Sequence, residues 1–271
     1  MRPISEHESP VLSMAAGFYR DKPVSPVLQR HFSSAWRHSK PLGATECSAV
    51  VPDACADLIW CREALWVAGP DLEIKLECVP PGTAVVGMRF RPGVAAALLG
   101  VPLSQIVGAR VPLDCFWPAA ARQLTDAVGD AREPHVVAAR LESAIAKIAG
   151  GFVSPDPCAD VIRRCVARPR DGRRPIVPEL TAALGMSERT LRRYCERAFG
   201  YGPKTLDRVL RMQRFLALAR GRRACGLASL AGAAGYADQA HLTREARRLT
   251  GFTPTAILKQ LSEAMRGTPP V

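Results

Sequence analysis

The sequence predicts an α+β protein with two domains, a strand-rich N-terminal domain with trailing helices and an all-helical C-terminal domain. The chain has 271 residues, which is enough for two domains that each bury a core. Short apolar runs bounded by turn residues occupy the first part, helical periodicity occupies the rest, and the formal charge changes abruptly between them. We therefore expect one domain over residues 1–150, a linker over 151–157 and a second domain over 158–271.

The N-terminal domain is expected to be rich in strands because its apolar runs are short and are separated by turn residues. The turns include Pro52-Asp53, Gly69-Pro70-Asp71 and Pro80-Pro81-Gly82. This pattern favours a β meander or a small barrel. The apolar runs cover residues 48–51, 58–61, 65–68, 74–79 and 84–90.

Helices are expected to follow the strands, over residues 94–99, 118–128 and 134–148. In the last of them Val137, Leu141, Ile145 and Ile148 recur at steps of four, four and three, which gives the helix one apolar face. Such a face can cover the sheet of its own domain, or it can pair with a second copy of the chain. The sequence favours neither use.

Composition and charge change together at the expected domain boundary. Residues 150–157 hold two glycines and two prolines, which is typical of a linker. Residues 1–157 carry 15 Lys+Arg and 16 Asp+Glu, whereas residues 158–271 carry 22 and 9, which leaves formal charges of −1 and +13. A domain this basic attracts a phosphate backbone and binds it in a salt-dependent way.

The sequence also argues against several classes of protein. We expect a cytoplasmic protein with no membrane partner, because no apolar run is long enough for a membrane span and the first residues lack the apolar core of a signal peptide. The nine cysteines include no Cys-x-x-Cys pair, so we expect reduced thiols and no metal site. No nucleophile elbow, phosphate loop or zinc-protease helix is present, so we expect no catalytic residue and no cofactor.

The C-terminal domain contains an internal repeat of about 50 residues. Residues 180–186 (LTAALGM) are echoed by residues 230–236 (LAGAAGY). Each copy is followed by a basic helix and then by a Gly-aromatic-x-Pro sequence, at residues 200–203 and 251–254. One structural unit is therefore used twice.

Each copy has the pattern of a helix-turn-helix unit, in which the second helix lies in the major groove of DNA. Gly185 and Gly235 stand where the first helix ends and a left-handed backbone is favoured. Ser187 and Asp238 stand where they can cap the second helix. Arginine, glutamine and threonine side chains can read base edges. The candidates for this role are Arg189, Arg192, Arg193, Gln239, Thr243, Arg244 and Arg247.

Residues 235–244 and 251–254 resemble the signature of the AraC/XylS family of transcription regulators, and residues 186–193 resemble its first recognition helix. The resemblance extends over roughly residues 156–265. It implies that a long helix at about residues 203–220 joins two recognition helices, which enter successive major grooves roughly 34 Å apart.

The same resemblance adds Ala240 to the second reading surface and implies double-stranded DNA as the partner. RNA polymerase and a second copy of the chain are further candidate partners. The family usually has a core phenylalanine in each second helix, and here Cys195 and Ala246 take those places. We therefore expect looser packing at these two positions.

Residues from about 31 to 123 resemble a sensory domain that precedes this DNA-binding domain in many bacterial regulators. The resemblance rests on residues 51–60, 67–71 and 86–93, which lead to 99–102, and it implies a small-molecule effector of unstated chemistry. Tryptophans can line a ligand pocket and arginines can bind an anion, although core packing and ion pairs use both residue types as well. The candidate effector-binding residues are Trp60, Trp66, Arg89 and Arg91.

We therefore expect a sequence-specific DNA-binding transcription regulator, with two alternatives. The first is a cysteine-based sensor or transferase for electrophiles or alkyl groups, coupled to DNA binding, which would use Cys55 or Cys61. It requires a thiol with a lowered pKa. The second is an architectural protein that bends DNA and binds random duplexes equally well.

Overall fold

The computed structural model describes residues 11–13, 18–43, 47–168, 175–221 and 226–267. Strands dominate the first part and helices the second, which confirms the predicted fold class. The strands are β1 (Val11–Leu12), β2 (Phe18–Lys22), β3 (Phe32–Ser39), β4 (Ser48–Val50), β5 (Asp57–Cys61), β6 (Ala64–Ala68), β7 (Lys75–Glu77), β8 (Ala84–Phe90) and β9 (Arg110–Pro112).

The strands form two sheets. A six-stranded antiparallel sheet has the order β2-β3-β8-β5-β6-β9, and a three-stranded sheet has the order β1-β4-β7. Because β8 lies between β3 and β5, strands that are neighbours in space are mostly distant in sequence. The predicted meander is therefore wrong, although the five predicted strands all exist with ends shifted by at most two residues.

One pair of cysteines corrects the prediction that all nine are reduced. Cys47 and Cys78 form a disulfide, with their Cα atoms 4.4 Å apart. The register explains the pairing, because β4 and β7 are antiparallel with Ser48 opposite Glu77, which places the next residues outward opposite each other. This proximity depends on a pairing of strands 31 residues apart in sequence, which cysteine spacing alone does not reveal.

Three helices complete the N-terminal domain: α1 (Ala95–Leu99), α2 (Pro118–Val128) and α3 (Pro134–Ile148). The apolar face of α3 packs against β3 and β8, and Val137, Leu141 and Ile145 are buried in the same core as Phe32 and Phe90. This face therefore covers the sheet of its own domain. Within the described residues, no helix is both long enough and apolar enough to cross a membrane.

The C-terminal domain is helical throughout its described residues, and its core runs along α7. Leu206, Val209, Met212, Phe215 and Leu216 of α7 are fully buried. The helices are α4 (Pro157–Ala167), α5 (Ile176–Leu184), α6 (Glu188–Phe199), α7 (Pro203–Gly221), α8 (Leu227–Ala234), α9 (Gln239–Thr250) and α10 (Pro254–Gly267).

The two parts of the chain share a hydrophobic core. Leu12, Val51 and Ala54, from the strand-rich part, are buried in the same cluster as the helices α4 to α10. The Gln213 side chain of α7 donates a hydrogen bond to the Pro52 carbonyl at 2.7 Å. The expected linker lies against the N-terminal domain, where Phe152 stacks on the Trp117 ring at 5.5 Å. The two domains are therefore in direct contact.

Candidate nucleic-acid interface and effector cavity

The first helix-turn-helix unit consists of α5 and α6, with the turn at Gly185. Gly185 ends α5 with φ +62°, a left-handed conformation that glycine adopts without a steric penalty. The Ser187 hydroxyl accepts a hydrogen bond from the Thr190 backbone N–H at 3.2 Å and so caps α6. Leu191 and Cys195 are fully buried on the inner face of α6.

The second unit, α8 and α9, repeats this construction. Gly235 ends α8 with φ +88°, and the Asp238 carboxylate caps α9 by accepting from the His241 N–H at 2.7 Å. Leu242 and Ala246 are fully buried. The His241 ring packs edge-on against Tyr236 at 5.3 Å, so this histidine serves the packing of the turn.

The outer faces of α6 and α9 carry the predicted DNA-contacting residues. Thr243 is half-buried, and its hydroxyl donates to the Gln239 carbonyl at 2.9 Å. The Arg192 Nε donates to Glu196 at 2.8 Å along the surface of α6. The exposed members are Arg189, Arg192, Arg193, Gln239, Ala240, Arg244 and Arg247.

The long helix α7 holds the two units together. Its Arg208 pairs with Glu245 of α9 at 2.6 Å. Its Arg214 donates to two carbonyls, to Ala234 at the end of α8 at 2.8 Å and to Val166 of α4 at 2.6 Å. These contacts fix the second unit on the same helix that follows directly from the first.

A cavity of about 140 Å³ lies between the two sheets of the N-terminal domain. Tyr19 of β2 and Trp36 of β3 stack in its wall with ring centroids 6.2 Å apart, and Tyr19 is 38% exposed. Charged side chains from both sheets and from the turns beside them also line the cavity. They are Asp53, Asp57, Asp71, Lys75, Glu77, Arg89 and Arg110.

Ion pairs use most of the cationic groups of this cavity. The Arg89 guanidinium binds two carboxylates, Asp53 at 2.8 Å and Asp57 at 3.1 Å. The Trp36 indole N–H also donates to Asp57, at 3.1 Å. On the other side of the cavity Arg110 pairs with Glu77 at 2.7 Å.

Asp71 is the exception among the cavity's carboxylates. Among the residues that the structure describes, none forms a hydrogen bond or an ion pair with the Asp71 side chain. Burial therefore raises the pKa of Asp71 to about 6, with Lys75 only partly opposing the effect. Burial also raises the pKa of Asp53, against the influence of Arg89.

The structure separates the four predicted effector-binding residues. Arg89 lies in the cavity, whereas Arg91 lies outside it and approaches Asp160 of α4 at 3.7 Å. Trp60 is a core residue, only 7% exposed. Trp66 is half-buried and lines two other depressions of the domain. Sequence reasoning missed Tyr19 and Asp71 as cavity residues.

The thiols that the cysteine-based alternative requires are poorly suited to it. Burial raises the pKa of the Cys55 thiol well above its ordinary value, and the Asp53 carboxylate adds to this effect. Burial raises the pKa of Cys61 as well, although Arg110 opposes it. Both shifts reduce the fraction of reactive thiolate. No group of side chains suited to binding a metal ion occurs within the described residues.

Two known domain families match separate parts of the chain. Residues 180–260 match a family described as a helix-turn-helix domain, and residues 21–112 match a domain of unknown function (DUF6597). No curated protein matches the chain.

Three solved structures are similar to the chain, one over part of it and two over most of it. A "probable AraC family transcriptional regulator" from Rhodopseudomonas palustris is 23% identical, covers 39% of this chain and 98% of its own, and has a TM-score of 0.33. An apo variant of ToxT from Vibrio cholerae is 10% identical over 89% of this chain and 100% of its own, with a TM-score of 0.49. ToxT bound to (E)-4-(8-methylnaphthalen-1-yl)but-3-enoic acid is 10% identical over 90% and 99%, with a TM-score of 0.47. Likenesses this distant do not identify a ligand.

Proposed function

We propose that this chain, which carries an AraC-type helix-turn-helix domain behind an N-terminal domain of unknown function, reads two successive major grooves of double-stranded DNA and responds to a small-molecule effector. The helix-turn-helix domain makes it a DNA-binding transcription regulator. The finer proposal is that α6 and α9 select the DNA sequence and that the cavity of the N-terminal domain controls them.

One observation carries the proposal for DNA. Both units present a capped, exposed, basic helix, and both are attached to the single helix α7. Arginine can bind guanine through two hydrogen bonds, which gives sequence selectivity, whereas contacts to phosphate do not. We assign base reading to Arg189, Arg192, Arg193, Gln239, Ala240, Thr243, Arg244 and Arg247.

Reading DNA requires a rearrangement at Arg192. Its guanidinium is paired with Glu196 in the free protein, and this pair is exposed to solvent. Exposed pairs of this kind contribute little to stability, because water and salt screen both charges. Arg192 can therefore leave Glu196 for a base or a phosphate at small cost.

The proposal for effector control is supported by the segment of residues 51–55. On one side Asp53 lines the cavity and binds Arg89. On the other side Val51 and Ala54 are buried against the helices, and the Pro52 carbonyl accepts from Gln213 of α7. A shift of Asp53 would therefore displace the contacts that this segment makes with α7, the helix that carries both reading units.

The test of DNA reading is selection of bound duplexes from a random library by the purified full chain at near-physiological salt. We expect an asymmetric motif with two half-elements about one helical turn apart, because two different helices of one chain bind successive grooves. Flat enrichment would contradict sequence-specific reading and would favour the architectural alternative.

Matched variants then separate base reading from phosphate contact. Arg193 and Arg244 occupy equivalent positions in the two units, and alanine at either should cost about 1–3 kcal/mol on the selected site and relax base choice at one half-element. The comparison variants are Arg197→Ala and Arg248→Ala, which lie one turn further along the same helix faces, about 40° from Arg193 and Arg244, and remove the same charge. A loss that is equal on all sequences would reassign the residue to phosphate binding.

A further inference from the structure

The effector cavity has more negative than positive groups available to a ligand. Its four carboxylates face three cations, and two of those cations are already paired with three of the carboxylates. The third, Lys75, directs its ammonium to the Gly108 carbonyl at 3.2 Å. Asp71 is left in the wall without a partner among the described residues. A half-buried carboxylate without a partner is stabilised by a cation that enters the cavity.

A second polar group near the cavity also lacks a partner. The Tyr201 hydroxyl is fully buried, and within the described residues it forms no hydrogen bond. It lies close enough to Asp53, Cys55 and Asp71 for their charges to raise its pKa, together with burial. Buried polar groups in proteins usually have a hydrogen-bond partner. Two polar groups on this side of the cavity, the Asp71 carboxylate and the Tyr201 hydroxyl, therefore lack a hydrogen-bond partner among the described residues.

The aromatic pair supplies a complementary surface. A cation placed over the face of an aromatic ring is attracted by the ring quadrupole, most strongly for tryptophan. Tyr19 and Trp36 form such a surface in the cavity wall, and Asp57 holds the Trp36 ring through its indole N–H. An aryl ring can stack there as well.

We propose that the cavity between the two sheets binds a small organic cation, an aryl-alkyl ammonium whose ring lies on Trp36 and Tyr19 and whose ammonium group lies at Asp71. The inference rests on the proposal that this cavity holds the effector. The size agrees, because a cavity of about 140 Å³ is close to the engineered cavities of about 150 Å³ that accept benzene. The ligand is therefore expected to have one ring and a short arm.

An anion is disfavoured by the same contacts. The Arg89 guanidinium already binds two carboxylates, and Arg110 binds a third. An anionic ligand at either arginine would have to displace a carboxylate and leave it unpaired, and at Lys75 it would lie close to the Asp71 carboxylate. Of the two uses of arginine that the sequence left open at Arg89, the structure has the ion pair, with Asp53 and Asp57.

The test compares three ligands of similar shape: 2-phenylethylammonium, the neutral 2-phenylethanol and the anion 3-phenylpropionate. Binding to the full chain is measured by calorimetry without DNA. We expect the ammonium to bind about tenfold or more tightly than either of the others, because only its positive charge can pair with the Asp71 carboxylate, whereas all three ligands share the ring. Equal binding of the three ligands, stronger binding of the anion or the alcohol, or no binding of the ammonium at millimolar concentration would overturn the proposal.

Asp71→Asn locates the charged group. The variant removes a buried charge, so it should fold at least as well as the parent, yet bind 2-phenylethylammonium about tenfold more weakly. Asp114→Asn is the control, because Asp114 is exposed and lies outside this cavity. Unchanged affinity of Asp71→Asn would overturn the assignment of the ammonium to this carboxylate.

The result of the ligand-binding experiment does not depend on the result of the DNA selection. A cavity that rejects the ammonium leaves the selected DNA motif unaffected. A flat DNA selection leaves the affinity of the cavity unaffected.

Discussion

The two helix-turn-helix units have equivalent sequences but different surroundings. Gly200 and Gly251 both end their second helices in a left-handed conformation, with φ +88° and +70°. A Cβ atom on Gly200 would lie 2.7 Å from Pro70 and 2.9 Å from Val107, whereas a Cβ on Gly251 would have no atom within 4 Å. The end of the first unit therefore packs on the N-terminal domain, whereas the equivalent glycine of the second unit is open among the described residues.

The aromatic residue after each glycine shows the same difference. Tyr201 is only 6% exposed and packs with Val51 and Ala54, while its counterpart Phe252 is half-buried. The N-terminal domain can therefore act on the first unit directly, and on the second unit through α7. The same helix-turn-helix unit is therefore used twice in different surroundings, once packed on the N-terminal domain (α5 and α6) and once joined to the first unit through α7 (α8 and α9).

The largest expected effect comes from Gly200→Ala. Alanine in a left-handed conformation costs about 1 kcal/mol, and the contact with Pro70 and Val107 adds about 1–3 kcal/mol. Gly251→Ala has only the first of these costs, so it is the matched control. Denaturant unfolding should show the larger loss of unfolding free energy for Gly200→Ala. Equal losses would mean that the docking of the first unit is not tight.

A smaller effect is expected from the ion pairs of the two units. Glu245→Gln should reduce the unfolding free energy by about 2 kcal/mol, because Arg208 and Glu245 are largely buried and join two helices. Glu196→Gln should change it by less than about 0.5 kcal/mol, because its pair with Arg192 is exposed and lies within one helix. Thermal unfolding of both variants measures the difference, and a larger loss for Glu196→Gln would contradict the comparison.

The smallest expected effect is a dependence of stability on pH, caused by Asp71 near the first unit. Asp71 has a pKa of about 6 in the folded protein and 3.8 as the ordinary value, so the folded state holds the proton more tightly. Stability should therefore fall as the pH rises from about 4 to 6, by about 1–2 kcal/mol because the carboxylate keeps partial contact with water.

Asp71→Asn should lack this fall and should be the more stable protein at pH 7. The groups that face Asp71 and share the effect are Asp53, Lys75, Glu77 and Arg110. Unfolding curves of both proteins at pH 4 and pH 7 decide the point. Parallel changes with pH in the two proteins would exclude Asp71 as the cause.

The sequence predicted the helical domain better than the cavity. The glycine turns, the caps and the inward-facing Leu191 and Leu242 depend on residues close together in sequence, and they were predicted correctly. The fully buried Cys195 and Ala246 take core positions, and looser packing around them stays a prediction.

The cavity depends instead on contacts between distant strands. β3 was missed because its exposed Ser33 and half-buried Arg37 and His38 interrupt the apolar pattern. Trp36 therefore had no predicted place in the sheet. Asp71 was seen only as a turn residue, since its position beside Tyr201 depends on a pairing of regions 130 residues apart. A bulge between Phe32 and Ser34 also breaks the alternation, so Phe32 and Ala35 lie in the core while Trp36 lines the cavity.

The contact between β1 and α10 has a consequence for protein synthesis. The Leu12 backbone N–H donates to the Gln260 side chain at 2.9 Å, across 248 residues, and Leu12 is fully buried beside Ile257 and Leu261. A ribosome makes the first of these residues long before the last, and domains that are complete fold as they emerge. In this fold β1 cannot complete its packing until α10 has been synthesised. Chains cut short before α10 would leave Leu12 uncovered, and would present that apolar edge to chaperones and proteases.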